Sequence, residues 1–324
     1  MDKTLVKMAI DLYKGKTENF SKEKVNDSLR KHLIELNGGE EKITDRSFRK
    51  HPELFEFLEE TLSVLVSEGL QEQFQEFAEV RDVEFGQQPV FHIPDTKLFP
   101  VAVVSDGIGN LRKQRIDNGE LVVPTKFRGV AIYEELTRVM AGRTDWVEMV
   151  NRVAKSYNQK ILTEVYDAIY NSFDKLTAPF KTSGTYNESE LLELAQHVEA
   201  EANADVLIFG TKKALSKIKP SEYSDNMLDR KNELGFLRIW NGYEMREIKQ
   251  THKAGTYEFA ISDNFLLVVP TTGDKMVKIV NEGETRIIEE SGLDNQDFSQ
   301  TYTFLKKTGI SIVTGTKYGV YRLA

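Results

Sequence analysis

Residues 145–173, DWVEMVNRVAKSYNQKILTEVYDAIYNSF, decide the fold. Trp146, Met149, Val150, Val153, Tyr157, Ile161, Val165, Ala168, Ile169 and Phe173 recur at intervals of three and four, which lines them along one helix face. Asp145 can cap the start, and Glu148 three residues on completes a capping box. No Gly or Pro interrupts the run, so roughly 29 residues at about 1.5 Å each give a rod on the order of 43 Å. That exceeds the usual three turns. The spacing predicts Trp146, Val153, Tyr157 and Ile161 on its buried face.

Downstream, the pattern changes. Glu188–Ala202 reads as an acidic helix, DVLIFG (205–210) as a short buried strand, and Thr211–Ile218 as a helix followed by a polar loop to Leu234. Nine strands are then expected: FLRIWN (236–241), YEMREI (243–248), TYEFAI (256–261), FLLVVP (265–270), MVKIVN (276–281), TRIIEE (285–290), TYTFLKK (301–307), ISIVTG (310–315) and VYRLA (320–324). A long helix upstream of such a run gives a mixed α+β chain.

Upstream, VFHIP (90–94), FPVAVV (99–104), LRKQRI (111–116) and ELVVPTK (120–126) read as strands broken at 106–110 and at Asp117-Asn118-Gly119, a hairpin signal. Arg112, Lys113, Arg115, Lys126 and Arg128 leave this ribbon little apolar surface, so it must project and lean on a neighbour. His51–Asp82 reads as one or two helices with a break at Gly69. Residues 46–84 carry ten acids against four bases, a solvated face first and a partner for cations second. Residues 1–45 balance nine bases against nine acids. A helix is expected over Ser21–Leu36, capped by Ser21 and stopped at Asn37-Gly38-Gly39, with Val25, Leu29, Leu33 and Leu36 on one side. This segment reads as an arm without a core of its own, packing on something else.

Composition excludes several classes. The 324 residues are 40% hydrophobic and 29% charged, enough for two or three compact units and too much for a disordered chain. Cysteine is absent, which removes disulfides, thiolate nucleophiles and iron–sulfur clusters. A net charge of −8 argues against broad nucleic-acid binding. The N-terminus has no apolar core of the signal-peptide kind, and no 18-residue uncharged apolar run occurs. The five histidines never stand at HxH or HxxxH spacing. Gly15-Lys16-Thr17 lacks the upstream glycine of a P-loop, and Gly107-Ile108-Gly109 opens a strand where a dinucleotide turn must open a helix. No catalytic residue, cofactor or metal is expected, and the chain is read as a non-enzyme.

The order of these parts resembles the HK97-fold major capsid protein of tailed bacteriophages. Thr125–Val139 (TKFRGVAIYEELTRV) resembles the family's exit from its extended loop, 144–173 its spine helix, and Ala204–Ile218 (ADVLIFGTKKALSKI) the strand-then-helix step of its axial lobe. Phe259–Pro270 resembles the strand pair after that lobe, and Lys275–Glu289 with Tyr302–Leu323 its closing strands. The likeness covers about 90–324, and 1–89 by position only.

The resemblance implies an N-terminal arm (1–45), peripheral helices (46–92), an extended β-hairpin loop (93–128), a peripheral domain with the spine helix (129–180), an axial domain (181–278), peripheral strands (279–315) and a C-terminal strand (316–324). It implies a subunit that self-assembles into the icosahedral head shell enclosing phage DNA. Arg112, Lys113, Arg115, Lys126 and Arg128 would make contacts between subunits. The partners would be other copies in pentamers and hexamers, a portal, and packaged DNA held weakly on the inner surface, with no membrane. A start at Met1 and an arm this short predict a separate scaffolding protein. The site of action would be the virion, after assembly in the host cytoplasm. An encapsulin-like compartment shell is the related alternative, and an unmarked α+β enzyme the alternative of another class.

Overall fold

The computed structural model describes residues 22–41, 47, 50–94, 99, 101, 113–116, 118–135, 146–219, 225–290, 299–313 and 318–324. Its helices are α1 (Lys22–Leu36), α2 (Glu53–Phe74), α3 (Trp146–Ser172), α4 (Glu188–Ala202), α5 (Lys212–Ser216) and α6 (Asp225–Leu234). Its strands are β1 (Ala78–Val83), β2 (Val90–Ile93), β3 (Gly119–Val122), β4 (Thr125–Glu135), β5 (Lys181–Gly184), β6 (Val206–Thr211), β7 (Ile239–Trp240), β8 (Tyr243–Ile248), β9 (Phe265–Pro270), β10 (Val277–Glu290), β11 (Ser299–Ile312) and β12 (Gly319–Leu323).

They form a four-stranded sheet in the order β1-β10-β11-β4, a six-stranded sheet in the order β5-β12-β9-β6-β8-β7, and the two-stranded ribbon β2-β3. The long helix α3 buries Val153, Tyr157 and Ile161 as its spacing requires. The side chain of Trp146 and the caps Asp145 and Ser21 lie outside the described residues. One core runs from α1, α2 and α3 across the four-stranded sheet to Leu207, Phe209, Phe265, Leu267 and Val269 of the second sheet. The alternate residues Val206, Ile208, Leu266 and Val268 point the other way, into a core closed by α4 and α5. Strands β6 and β9 are therefore covered on both faces, which is why they read as unbroken apolar runs. Phe77 stacks edge-on to Phe209 with centroids 5.5 Å apart, and Glu76 pairs with Arg246, so the two sheets are tied beside α3.

Helix α1, with no core of its own, packs Leu29 and Leu33 into the subunit's main core, and His32 lies edge-on to Phe57 at 5.2 Å. Several other expectations change. Gly69 does not break α2, because Leu65, Val66, Leu70 and Phe74 keep one buried stripe through it and outweigh the roughly 1 kcal/mol that glycine costs. Residues 78–83 form a strand parallel to β10, not helix. The polar stretch before Leu234 contains α6.

The nine downstream strands become six. MVKIVN and TRIIEE merge across a bulge between Glu282 and Arg286, where Gly283 takes φ 70°. TYTFLKK and ISIVTG merge into β11. FLRIWN shrinks to β7, and TYEFAI keeps only a bridge between Phe259 and His252. In the projecting ribbon, residues 113–116 form no strand; β2 pairs with β3 instead. Within FPVAVV, Phe99 and Val101 are in no strand and the rest lies outside the described residues.

Candidate intersubunit surface

The ribbon leaves the four-stranded sheet after β1 and returns at β4. Its foot carries a small core that the cation count had concealed. Phe91, Val123 and Val280 are buried together, with Val83 and Leu121 against them. The Arg81 guanidinium lies 4.2 Å from the Phe91 ring centroid. This is a cation–π contact on a partly desolvated face.

Glu282 fixes both legs of the loop. It stands beside the β10 bulge, is 2% exposed, and accepts from Lys307 Nζ at 2.6 Å, from the Gly86 amide at 2.9 Å and from the Thr125 hydroxyl. Gly86 lies on the outgoing leg and Thr125 opens the returning one. The Lys307 hydrogen bond, followed by those of Thr125 and Gly86, pulls the carboxyl down to about 2. Across the bulge, Phe85 lies on Gly283, where an added Cβ would come within 2.3 Å of the ring. Any other residue there would have to displace the Phe85 ring and hold φ 70°, which favours glycine.

Beyond this foot the described loop residues have little cover. Lys113 and Arg115 are exposed in an irregular segment, with Ile116 beside them, and Val101 is 95% exposed. Arg112 lies outside the described residues. Lys126 is exposed on β4. Arg128 differs from the rest. Its guanidinium pairs with Glu164 of α3 and donates to the Thr308 carbonyl at 2.5 Å. Burial works to raise the Glu164 carboxyl, and Arg128 outweighs it, so the group titrates below the ordinary range. Arg128 ties β4 to the long helix inside the subunit. It is not a loop cation.

The acids of 53–84 are also sorted. A cleft of about 550 Å³ opens between α2, β1 and the β10 bulge, lined by Glu68, Asp82, Glu84 and Glu284 with Lys306 among them. Lys306 is 1% exposed and donates to the Ser63 carbonyl at 3.2 Å and hydroxyl at 3.3 Å. Burial pushes its ammonium down to about 8, against the opposing pull of Asp82. Asp82 is held by Ser67 and Asn281, each at 2.7 Å. Sequence reading found the acidic surplus but missed Glu282 and Lys306. Each is one charged residue in a strand, and its partners stand far away in sequence.

Among the described residues, no group of three or more His, Asp or Glu is placed to hold a metal ion, and no helix is long and apolar enough to cross a membrane.

A long helix over a four-stranded sheet, a loop projecting from that sheet's foot and a second, six-stranded lobe make up the HK97-type phage capsid fold. Three solved shells share it. A satellite phage P4 procapsid chain is 8% identical with TM-score 0.54, over 81% of this chain and 90% of that one. The capsid chain of a native GTA particle is 12% identical with TM-score 0.53, over 78% and 90%. The mature capsid of bacteriophage PhiM1 is 12% identical with TM-score 0.50, over 78% and 86%. No curated protein matches the sequence. The family model described as "SPbeta prophage-derived putative capsid protein YonB" matches residues 4–322, and the chain belongs to that family. By that membership it is a capsid protein, a structural component of the virion.

Proposed function

We propose that the subunit builds the shell from pentamers and hexamers, with the projecting loop as the clamp between neighbours. The observation that carries this reading is the loop itself, pinned at both legs by Glu282 while Val101, Lys113, Arg115 and Ile116 beyond the foot stand exposed. A surface so positioned and so little covered fits a partner subunit. Lys113 and Arg115, with Arg112, meet acids of the neighbour such as those lining the cleft of Asp82 and Glu84. Single exposed pairs of this kind contribute about 0–1 kcal/mol. Repeated around a closed shell they add up by multivalency, and their individual weakness lets misplaced subunits leave.

In this reading the six-stranded lobe is the axial domain, about 181–278 joined by the C-terminal strand, and the four-stranded sheet with α2 and α3 is the peripheral domain. Assembly takes place in the host cytoplasm with a separate scaffolding protein and a portal. The net charge of −8 keeps packaged DNA weakly held on the inner surface.

Electron microscopy of the purified full chain, alone and co-expressed with its neighbouring structural genes, tests the reading. Uniform closed shells are expected. A dispersed monomer or dimer under both conditions overturns it.

A further inference from the structure

Strand β4 is the outermost strand of the four-stranded sheet. Its 11 residues, Thr125–Glu135, pair one for one with β11 and without a bulge. Among the described residues, no strand pairs with its other side. A long edge strand with neither proline nor bulge is a template for another strand, and proteins ordinarily blunt such edges.

One face of β4 is uncovered as well. Arg128 pairs with Glu164 of α3, and Val130 and Ile132 pack against the main core, so these alternate residues face inward. The residues between them face the other way. Phe127 is 64% exposed and Tyr133 74%, and Gly129 and Ala131 between the two are also exposed. The Lys307 ammonium lies 5.6 Å from the Phe127 ring centroid, at one edge of the strip.

The strand, TKFRGVAIYEE, is complementary to its own reverse. Antiparallel pairing of two copies about a two-fold axis at Val130 sets Phe127 opposite Tyr133, Gly129 opposite Ala131 and Lys126 opposite Glu134. Symmetry makes each of these pairs twice. Aromatic and opposite-charge pairs are among the favourable cross-strand combinations, and small residues between the aromatics let the strands approach. Centring the axis on Gly129 or on Ala131 instead separates Phe127 from Tyr133 and Lys126 from Glu134. The sequence therefore selects one register.

We propose that β4 pairs with β4 of a second copy, antiparallel about Val130, and joins their two four-stranded sheets into one. Such a contact is isologous, whereas neighbours around a ring meet through different patches. It therefore links subunits of adjacent rings. The inference rests on the shell-forming reading above and gives the shell a contact distinct from the clamp.

The chain has no cysteine, so introduced thiols report without background. Directly opposed residues stand about 4.5–5.5 Å apart between Cα atoms, within disulfide reach. Full-length Phe127→Cys and Tyr133→Cys chains, co-assembled into shells and oxidised, should give a dimer on a non-reducing gel. Shells of either variant alone should stay monomeric, because like thiols then stand about 20 Å apart along the strands. A dimer from one variant alone would mean another register, and would overturn the proposal. Intact mixed shells without a dimer would leave this edge to a different protein, overturning the inference while the shell reading stands. Absence of shells from the unmodified chain would remove both. Where the thiol variants do not assemble, a charge exchange decides. Lys126→Glu and Glu134→Lys should each cut particle yield about fivefold or more, with a melting temperature within about 2 °C of the parent. The double variant carrying both should recover yield to within about twofold of the parent. A double variant no better than either single one overturns the pairing.

Discussion

Tyr157 reaches from the long helix to the four-stranded sheet, its hydroxyl 2.6 Å from the main-chain oxygen of Phe304. The same hydroxyl stands 2.7 Å from the carbonyl of Arg128, so one phenol bridges β11 and β4. Burial pushes it up to about 12. Tyr157→Phe should cost about 1–2 kcal/mol, the net worth of a buried hydrogen bond whose partners lose their donor. The shift also has a sign. The folded phenol keeps its proton above the ordinary value near 10, so this contribution is complete below about pH 10 and lost as pH rises towards 12. Thermal melts of the two proteins across that window should converge as pH rises; a constant gap would contradict the assignment.

Glu282 makes the opposite prediction. Its carboxyl is held down to about 2 by Lys307, Thr125 and Gly86, so its contribution is complete above the ordinary glutamate range and lost as pH falls from about 4.5 towards 2. Glu282→Gln should destabilise the subunit by about 2–3 kcal/mol, as expected for a charge-assisted network. It should also free the loop's feet. Amide exchange at Gly86 and Val122 should quicken in the variant more than at Ile208 in the other lobe. Equal protection throughout would show that Glu282 does not position the loop.

Lys306 is a charge the fold tolerates at a cost. With its ammonium lowered to about 8, the unfolded chain holds a proton that the folded chain lacks between about pH 8 and 10.5, so stability from this group rises with pH across that window. Lys306→Met should raise stability at pH 7 by up to about 3 kcal/mol, because it removes the desolvation penalty and keeps the volume. Denaturant titrations at pH 7 and pH 9.5 check it. A loss at pH 7 would mean that the bonds to Ser63 outweigh the cost of burying the ammonium.

What the sequence yields depends on how local the cause is. The long helix, α4, β6, β8 and β9 follow from apolar spacing within each segment, and each forms close to its expected bounds. Strand β1 and helix α6 do not, because AEVRDV continues an acidic helical texture and DNMLDRKNEL carries few apolar residues. Both are decided by what they pair with or flank. The same limit governs the candidate surface. Lys113 and Arg115 are legible as exposed loop cations. Arg128, spelled like them, pairs with a glutamate 36 positions later. Glu282 joins three partners between 25 and 196 positions away, and no local pattern can announce that.

That division supplies the sharpest test of the clamp. Lys113 and Arg115 are exposed on a segment with no regular structure, so reversing both to Glu should leave the melt within about 1 kcal/mol of the parent. Assembly should fail, because the two reversed charges then face acids at every neighbour contact. Arg128→Glu should do the reverse. It sets a carboxylate against Glu164 on the inner face of β4, and breaking that half-buried pair should cost about 3–5 kcal/mol and lower the melt before assembly is reached. Measuring the melt of isolated subunits beside particle yield on a gradient separates the two effects. Normal particles from the Lys113/Arg115 variant would remove these cations from the clamp and leave its apolar residues, Val101 and Ile116, to hold the neighbour. A collapsed melt from that variant would place them in a core that their exposure denies.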